Sequence, residues 1–407
     1  MQRMTLRTLN LMSTQTKRLA VRFEPKPNDI VALFGQKYYV QPHPFAAYMP
    51  YASEGRRAVV YQLRNAAGEN YALKVFRKKF RNDSLLASIN LLNRFATLEG
   101  MRAARRQVIA PTDNAARQCR DLQYAMLMQW VRGQTWYDVL IEARRTGTHL
   151  ALPAAIHLCA RFLNVMRGLE AAGIAHGDIA PGNVMVEVAA VDVQLIDLED
   201  IYVPGESAPE QRNTGSTGYR HHSAEQGATT WCSAGDRYAA AVLAAEMLVL
   251  AEPQLARRAT DEGYFVGHCQ SSDGVERYNA AQGWLKKTAP DFATLFAQAW
   301  LSDSLAQCHK LAELHAAILP VALQTPRAPE PTITLPVKWS RLNIEKGQAK
   351  RRAGVKAGKP SPVTWGGTKL LERRQGQTGL GVVAKVSLGG AALLVLWLLF
   401  KLLVLFL

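Results

Sequence analysis

The last 22 residues constrain this chain more than any other stretch. From Val386 to Leu407 the sequence VSLGGAALLVLWLLFKLLVLFL carries a single charge, Lys401. Hydrocarbon cannot hydrogen-bond a peptide backbone, so a run of this kind has to satisfy its own N–H and C=O groups as a helix. At about 1.5 Å per residue that helix crosses the roughly 30 Å apolar thickness of a bilayer. A buried core helix is the competing explanation, but such helices seldom exceed about 14 apolar residues. Lys401, six positions from the end, can snorkel its ammonium to the far interface. The basic residues from Lys338 to Lys385 all precede the run. The positive-inside rule therefore predicts a single-pass membrane protein with a C-terminal anchor and a cytoplasmic body.

Charge divides the remainder. The formal net charge of +16 comprises +5 in residues 1–22, +10 in 321–385, one from Lys401 and zero across 23–320. A nucleic-acid-binding domain concentrates its positive surface on the folded body, because phosphate contacts supply most of the affinity. A neutral body argues against nucleic acid as a partner. The Pro-, Gly-, Lys- and Arg-rich segment from about Thr325 to Gly381 lacks apolar periodicity and reads as a flexible linker. Cys119, Cys159, Cys232, Cys269 and Cys308 contain no CxxC pair, which fits neither a disulfide framework nor a zinc site and implies a reducing compartment. Residues 1–22 lack the apolar region of a signal peptide. The expected segments are a basic extension over 1–32, a folded body over 33–320, a basic linker over 321–385 and a transmembrane helix over 386–407.

Within the body, AVVYQL, a polar NAAGEN connection and YALKVF predict a β-hairpin whose second strand carries Lys74. In LPAAIHLCARFLNVMRGLEAAG, Leu158, Phe162, Val165 and Leu169 share one helical face, with Pro153 near the start and Gly173 at the end. HGDIAPGNVMV follows at once. Val193, Leu195 and Ile196 then form a short apolar strand delivering Asp197 in LIDLED.

This order of residues suits phosphoryl transfer from a nucleoside triphosphate. The transition state spreads charge that metal ions and cations must neutralise, while a carboxylate positions the attacking hydroxyl. Asp197 at a strand end suits Mg²⁺, and Asn183, five residues after Asp178, can turn back towards a second metal ion. Asp178 is left facing the acceptor. Lys74 can reach the α and β phosphates, held by a helix glutamate. Glu99 is the only glutamate between Lys74 and Arg120 and so is its candidate partner. Blander readings accompany each of these. Asp178 and Asn183 also suit a polar turn, Glu99 a solvated helix face, and Gly55 a plain hairpin. His176 reads as a packed structural residue, and His221 and His222 as exposed loop residues rather than metal ligands.

With these motifs in order, the chain resembles the bacterial eukaryotic-like Ser/Thr protein kinases over roughly residues 33–320. The resemblance implies an α+β, bilobal protein-kinase-like fold, with a small β-rich N-lobe and hinge over 33–131 and a helical C-lobe over 132–320. Setting Val60 at the valine that follows the glycine-rich loop leaves Gly55 as the one surviving glycine, with Ser53 and Ala58 at the other two places. Ala72 to Lys74 resembles the lysine strand. MLMQWVRG resembles the hinge, with Met128 as gatekeeper and Gln129 to Val131 beside adenine. His176, Asp178 and Asn183 resemble the catalytic loop, and Asp197 the metal-binding aspartate. GSTGY at Gly215 to Tyr219 resembles the segment that receives the substrate peptide, with Ser216 at its usual threonine. Glu225 resembles the glutamate that closes that segment. WCSAGDRYAAAVLAAEML resembles a helix whose Asp236 accepts hydrogen bonds from the catalytic loop.

The resemblance implies ATP and Mg²⁺ as cofactors and Ser/Thr hydroxyls of cytoplasmic proteins as acceptors. Gly177 replaces the arginine that anchors an activation-segment phosphate, implying activity without strict dependence on phosphorylation there. Ala180 replaces a lysine near the γ-phosphate, implying slower transfer. Leu198 and Glu199 depart from the DFG pattern. Three functions follow: an active Ser/Thr kinase, which the complete Lys74, Asp178, Asn183 and Asp197 set favours; a catalytically weak kinase-like scaffold; and a small-molecule phosphotransferase. Oligomeric state is not legible.

The basic linker reads either as a segment held on anionic lipid headgroups, at about 1 kcal/mol per basic residue near the surface, or as a solvated tether. If lipid contact is its role, a peptide spanning the linker binds anionic vesicles with an affinity that falls steeply in moderate salt. Salt-independent affinity in a co-sedimentation assay leaves only the tether.

Overall fold

Alternating burial along short strands dominates the first part of the chain, and long apolar helical faces dominate the second. The computed structural model describes residues 22–208, 215–225, 227–260, 263–265 and 272–327. They belong to one compact unit. In chain order they form β1 (Ile30–Leu33), β2 (Gln36–Val40), β3 (Pro42–His43), β4 (Ala46–Pro50), β5 (Ala52–Glu54), β6 (Ala58–Asn65) and β7 (Asn70–Phe76). Helix α1 (Ser84–Asn93), β8 (Arg106–Val108), α2 (Asn114–Gln118), β9 (Met126–Gln129) and β10 (Gln134–Thr135) follow. Then come α3 (Trp136–Thr146), α4 (Leu152–Ala171), β11 (Val184–Glu187), β12 (Asp192–Leu195), α5 (Arg237–Val249) and α6 (Pro253–Ala256). The described part ends with α7 (Ser272–Thr288), α8 (Pro290–Trp300) and α9 (Leu311–Gln324). The architecture is α+β, with a β-rich first half and helices after it.

The main sheet runs β1-β2-β6-β7-β9-β8, with β5 paired to β6. The expected hairpin is β6–β7, antiparallel with Val60 opposite Lys74. Leu63 and Leu73 are fully buried on one face of it, in a core with Leu33, Val40 and Ile109. A separate and larger core surrounds α4 and α5. In α4, Leu158, Phe162, Val165 and Leu169 are all sealed, as the 3.6-residue period predicts. Pro153 sits in its first turn and Gly173 follows its end at φ +76°. Helix α5 is buried on every side, so it forms the axis on which other helices pack. Glu170 of α4 ties this axis together, pairing with Arg237 at the start of α5 and accepting the Leu311 N–H of α9 at 2.8 Å.

Two expected boundaries move. The sheet begins at Ile30, inside the expected extension, because Val31 and Leu33 are core residues. Even Phe23 is tied down, stacking edge-on against Tyr61 and donating its N–H to Asp121. At the other end, α9 continues through Pro320 to Gln324. Ile318 and Ala322 are buried against the helical body, so packing carries the helix beyond the boundary set at residue 320. Most of the linker, the span Val386–Leu407 and Cys269 lie outside the described residues. Among the described residues no helix is long and apolar enough to cross a membrane.

Inside α5, the Glu246 carboxylate is fully buried. It accepts hydrogen bonds from Trp136 Nε1 at 2.8 Å, from the Tyr219 hydroxyl at 2.8 Å and from the Tyr264 N–H. Burial pushes its pKa up to about 7 in spite of these donors. The native state thus holds this proton more tightly than the unfolded chain, whose ordinary value is 4.5. Its contribution to stability is complete below about pH 4.5 and is lost as pH rises through about 7. The full-length chain should lose up to about 3 kcal/mol of unfolding free energy across that window, and Glu246→Gln should flatten the loss. Denaturant melts at pH 5 and pH 7.5 measure both.

Candidate functional site

Strand β7 buries every side chain from Ala72 to Phe76, and the residue it presents beside the loops after β12 is Lys74, 7% exposed. A buried ammonium requires anionic partners. Lys74 Nζ donates to Asp197 Oδ1, 123 residues away, and to Glu199 Oε2. Asp197 follows β12 in the left-handed conformation, φ +64°, a region in which Asp is among the better-tolerated side chains. That kink turns its carboxylate off the strand line and starts the short 3₁₀ turn Leu198–Asp200.

Glu199 uses its second oxygen for Arg106 Nη1 at 2.9 Å. Asp200 pairs with Arg57 at 3.0 Å. Three carboxylates within four residues thus face three cations from the β-rich half: Lys74 on β7, Arg106 on β8 and Arg57 at the β5–β6 turn. Burial pushes the Asp197 carboxyl up, but the Lys74 ammonium and Arg57 hold it well below the ordinary range. Glu199 moves the other way, raised by burial and by the Asp197 charge beside it, against the pull of Lys74 and Arg106. Burial also raises Asp200, which feels the charges of both Asp197 and Asp178. The two loops therefore share one electrostatic neighbourhood.

The Asp178 loop is fastened from below. Asp236, 2% exposed, precedes α5 and accepts the N–H of His176 and, at 2.9 Å, that of Gly177. Burial raises the Asp236 carboxyl, opposed by His176 and by these two N–H groups. The Asp178 N–H donates to His176 Nδ1 at 3.3 Å, so His176 Nε2 carries the proton and donates to Ile196 O at 2.9 Å. That bond joins the loop to the residue before Asp197. A second tie runs from Ile196 N to Asn183 O at 3.0 Å. Gly177 explains its own identity: φ is +82°, and a Cβ there would lie 2.3 Å from Asp200 O. No side chain fits between the two loops at this point.

Asn183 Nδ2 donates to Asp178 O at 2.8 Å and to Asp178 Oδ2 at 3.2 Å. With its N–H groups spent there, its amide oxygen is the remaining acceptor of the side chain. Ser216 Oγ donates to Asp178 Oδ1 at 3.2 Å. Among the described residues no group of three or more His, Cys, Asp or Glu forms a metal cage. A Mg²⁺ site needs only one or two protein oxygens besides substrate phosphates and water. Asp197, with 40% of its side chain exposed, and the Asn183 amide are hard oxygen donors that fit such a role.

Of the other sequence-predicted residues, Val60, Ala72 and Gln129 lie in strands of the same sheet. Val60 faces Lys74 across β6–β7, Ala72 pairs with Met128, and Gln129 ends β9 opposite Tyr71. Val131 is buried in the helical core. Gly55 begins the turn between β5 and β6, its N–H on Ala58 O at 2.8 Å. A Cβ at Gly55 would meet only ordinary contact, so the turn does not demand glycine.

Glu99 is corrected. It is exposed and pairs with Arg161 and Asn164 of α4, not with Lys74. Position in the chain singled it out, but it lies after the end of α1, on the helical side of the sheet. Glu199 and Arg57 were missed as partners; the signal for Glu199 was the absence of any acid in SLLASINLLN of α1. His221 is also corrected: it is 2% exposed, stacked on His222 and bonded to Ser302. Glu225 pairs with Arg220, five residues away, at 2.9 Å. A concavity of about 890 Å³ lined by Arg102, His157, Arg161, Asp192 and Arg327 lies apart from this cluster.

No protein-family model matches the chain, and no curated protein matches it. Its chemistry is therefore read from the cluster itself. Asp236→Ala strips two buried N–H groups of a charged acceptor, each such bond being worth about 1.5–3 kcal/mol. The variant should lose about 3 kcal/mol or more in urea unfolding of the full-length chain.

Proposed function

We propose that this chain is a membrane-tethered, ATP-dependent protein kinase that transfers the γ-phosphoryl group to Ser/Thr hydroxyls of cytoplasmic proteins. The observation that carries this reading is the meeting of Lys74 with Asp197 across 123 residues of sequence, beside a catalytic loop that Asp236 holds by its backbone. The division into a sheet core and a helical core supports a bilobal, protein-kinase-like fold. The apolar run at 386–407 and the basic residues before it support the tether.

On this reading Lys74 holds the α and β phosphates, and Asp197 and Asn183 hold Mg²⁺. The ion, when bound, neutralises charge on the phosphate oxygens. Asp178 orients the acceptor hydroxyl and accepts its proton as the oxygen attacks the γ-phosphorus and the bond to the bridging oxygen of ADP breaks. A hydroxyl already approaches that carboxylate, from Ser216. With Ala180 uncharged, the cations around the cluster come from the β-rich half.

One observation favours the second reading, a catalytically weak scaffold. Lys74 is neutralised by Asp197 and Glu199, and Arg57 by Asp200, so phosphates have to displace carboxylates to enter.

The full-length chain in detergent, given Mg²⁺ and labelled ATP, should label itself or a generic protein. Asp178→Asn should lower the rate by about 10²-fold or more, and Lys74→Met should also impair it. Nucleotide binding without transfer selects the scaffold. Absence of both overturns the kinase reading.

A further inference from the structure

Lys74 cannot draw its partner from helix α1, because SLLASINLLN contains no carboxylate. Glu99, further along, is committed to Arg161 and Asn164. The partner present is Glu199, two residues beyond Asp197, and its side chain is only 8% exposed. Its Oε2 accepts from Lys74 Nζ while Oε1 accepts from Arg106 Nη1 at 2.9 Å. Arg106 is in turn immobilised. Its side chain is fully buried. Nε and Nη2 both donate to Ala103 O, at 3.1 and 2.8 Å. Its backbone exchanges two hydrogen bonds with the Asn93 side chain at the end of α1, at 3.0 and 3.2 Å.

We infer that Glu199, locked by Arg106, is the positioning residue for Lys74, so that the phosphate-binding cation and the metal-binding Asp197 are held by one three-residue segment instead of by a helix carboxylate. This inference rests on the kinase reading for its catalytic consequence. The geometry itself does not. An arrangement of this kind makes the alignment of Lys74 depend on the segment after β12 and on β8. Displacement of α1 acts on it through Asn93 and the backbone of Arg106, and through the packing of α1 on the Leu198–Asp200 turn. Three-way charge balance explains why an arginine accompanies the glutamate: two carboxylates beside one ammonium repel each other, and Arg106 offsets the second.

The test uses the full-length chain with three substitutions: Glu199→Gln, Glu199→Asp and Glu99→Gln. Steady-state kinetics give kcat and KM for ATP. Separately, without nucleotide, acylation of Lys74 by an amine-reactive ester is followed by peptide mass spectrometry at fixed pH. Glu199→Gln removes one of the two carboxylates that hold and shield Lys74 Nζ, so it should accelerate Lys74 acylation about tenfold or more. It should also lower kcat/KM for ATP by about 10²-fold, the scale expected when a reacting group is misplaced by about 1 Å. Glu199→Asp, which keeps the charge, should recover Lys74 protection in part. Glu99→Gln should change neither measure by more than about twofold, consistent with an exposed surface pair.

Unchanged Lys74 acylation in folded Glu199→Gln overturns the inference. So does a Glu99→Gln variant with faster acylation, which needs no Glu199 variant to fold. A wild-type chain that transfers no phosphoryl group, yet shows Glu199-dependent protection of Lys74, overturns the kinase reading and upholds the pair.

Discussion

An ammonium sealed on a central strand has to find negative charge, and most of the candidate site can be understood as the response to that demand. Lys74 is held on β7 by pairing on both sides, with β6 and β9. It cannot move to its partners, so they are delivered to it. The left-handed turn at Asp197 and the short 3₁₀ turn after it bring Asp197 and Glu199 to one nitrogen. Removing one member of such a buried pair commonly costs about 3–5 kcal/mol, because the other charge is left unpaired. The cluster therefore joins the two halves of the body as well as concentrating chemistry.

A second carboxylate does comparable work on the helical side. Asp236 is buried at the head of α5, and its two oxygens take up backbone N–H groups that the loop at His176 and Gly177 would otherwise leave unsatisfied. His176 then passes the constraint on to Ile196, adjacent to Asp197. The chain of contacts runs from the most buried helix, through a loop, to a strand end, with no long side chain spanning a gap. Gly177 belongs to this economy of space. Where the two loops pass, Asp200 O occupies the volume a Cβ would need, so the glycine at this position is dictated by backbone approach.

Much of this was legible in one dimension. The β6–β7 hairpin, the buried face of α4 and the strand leading to Asp197 follow from period-two and 3.6-residue patterns, and their order gave the candidate set Lys74, Asp178, Asn183 and Asp197. Asp236 was legible as a loop anchor through resemblance alone. Glu99 failed because elimination along the sequence counts residues between landmarks, whereas pairing depends on which element packs behind β7. His221 failed for a related reason. A loop residue between other polar residues looks exposed, yet Tyr238 and Ser302 close over it from α5 and from the turn after α8.

The amino-acid order by itself determined where helices and strands form, which apolar faces they bury, and that acids stand at the ends of β12 and at the head of α5, because these depend on neighbours within a few residues. It also set apart a neutral body from basic tails and a terminal apolar run. Only the tertiary structure decided which carboxylate meets Lys74. That choice depends on β8 lying beside β9 and placing Arg106 next to Glu199, a juxtaposition of segments about 93 residues apart. Charge pairing at such separation is a property of packing: the energy depends on distance and burial in the folded body, and neither is encoded in the local run of residues.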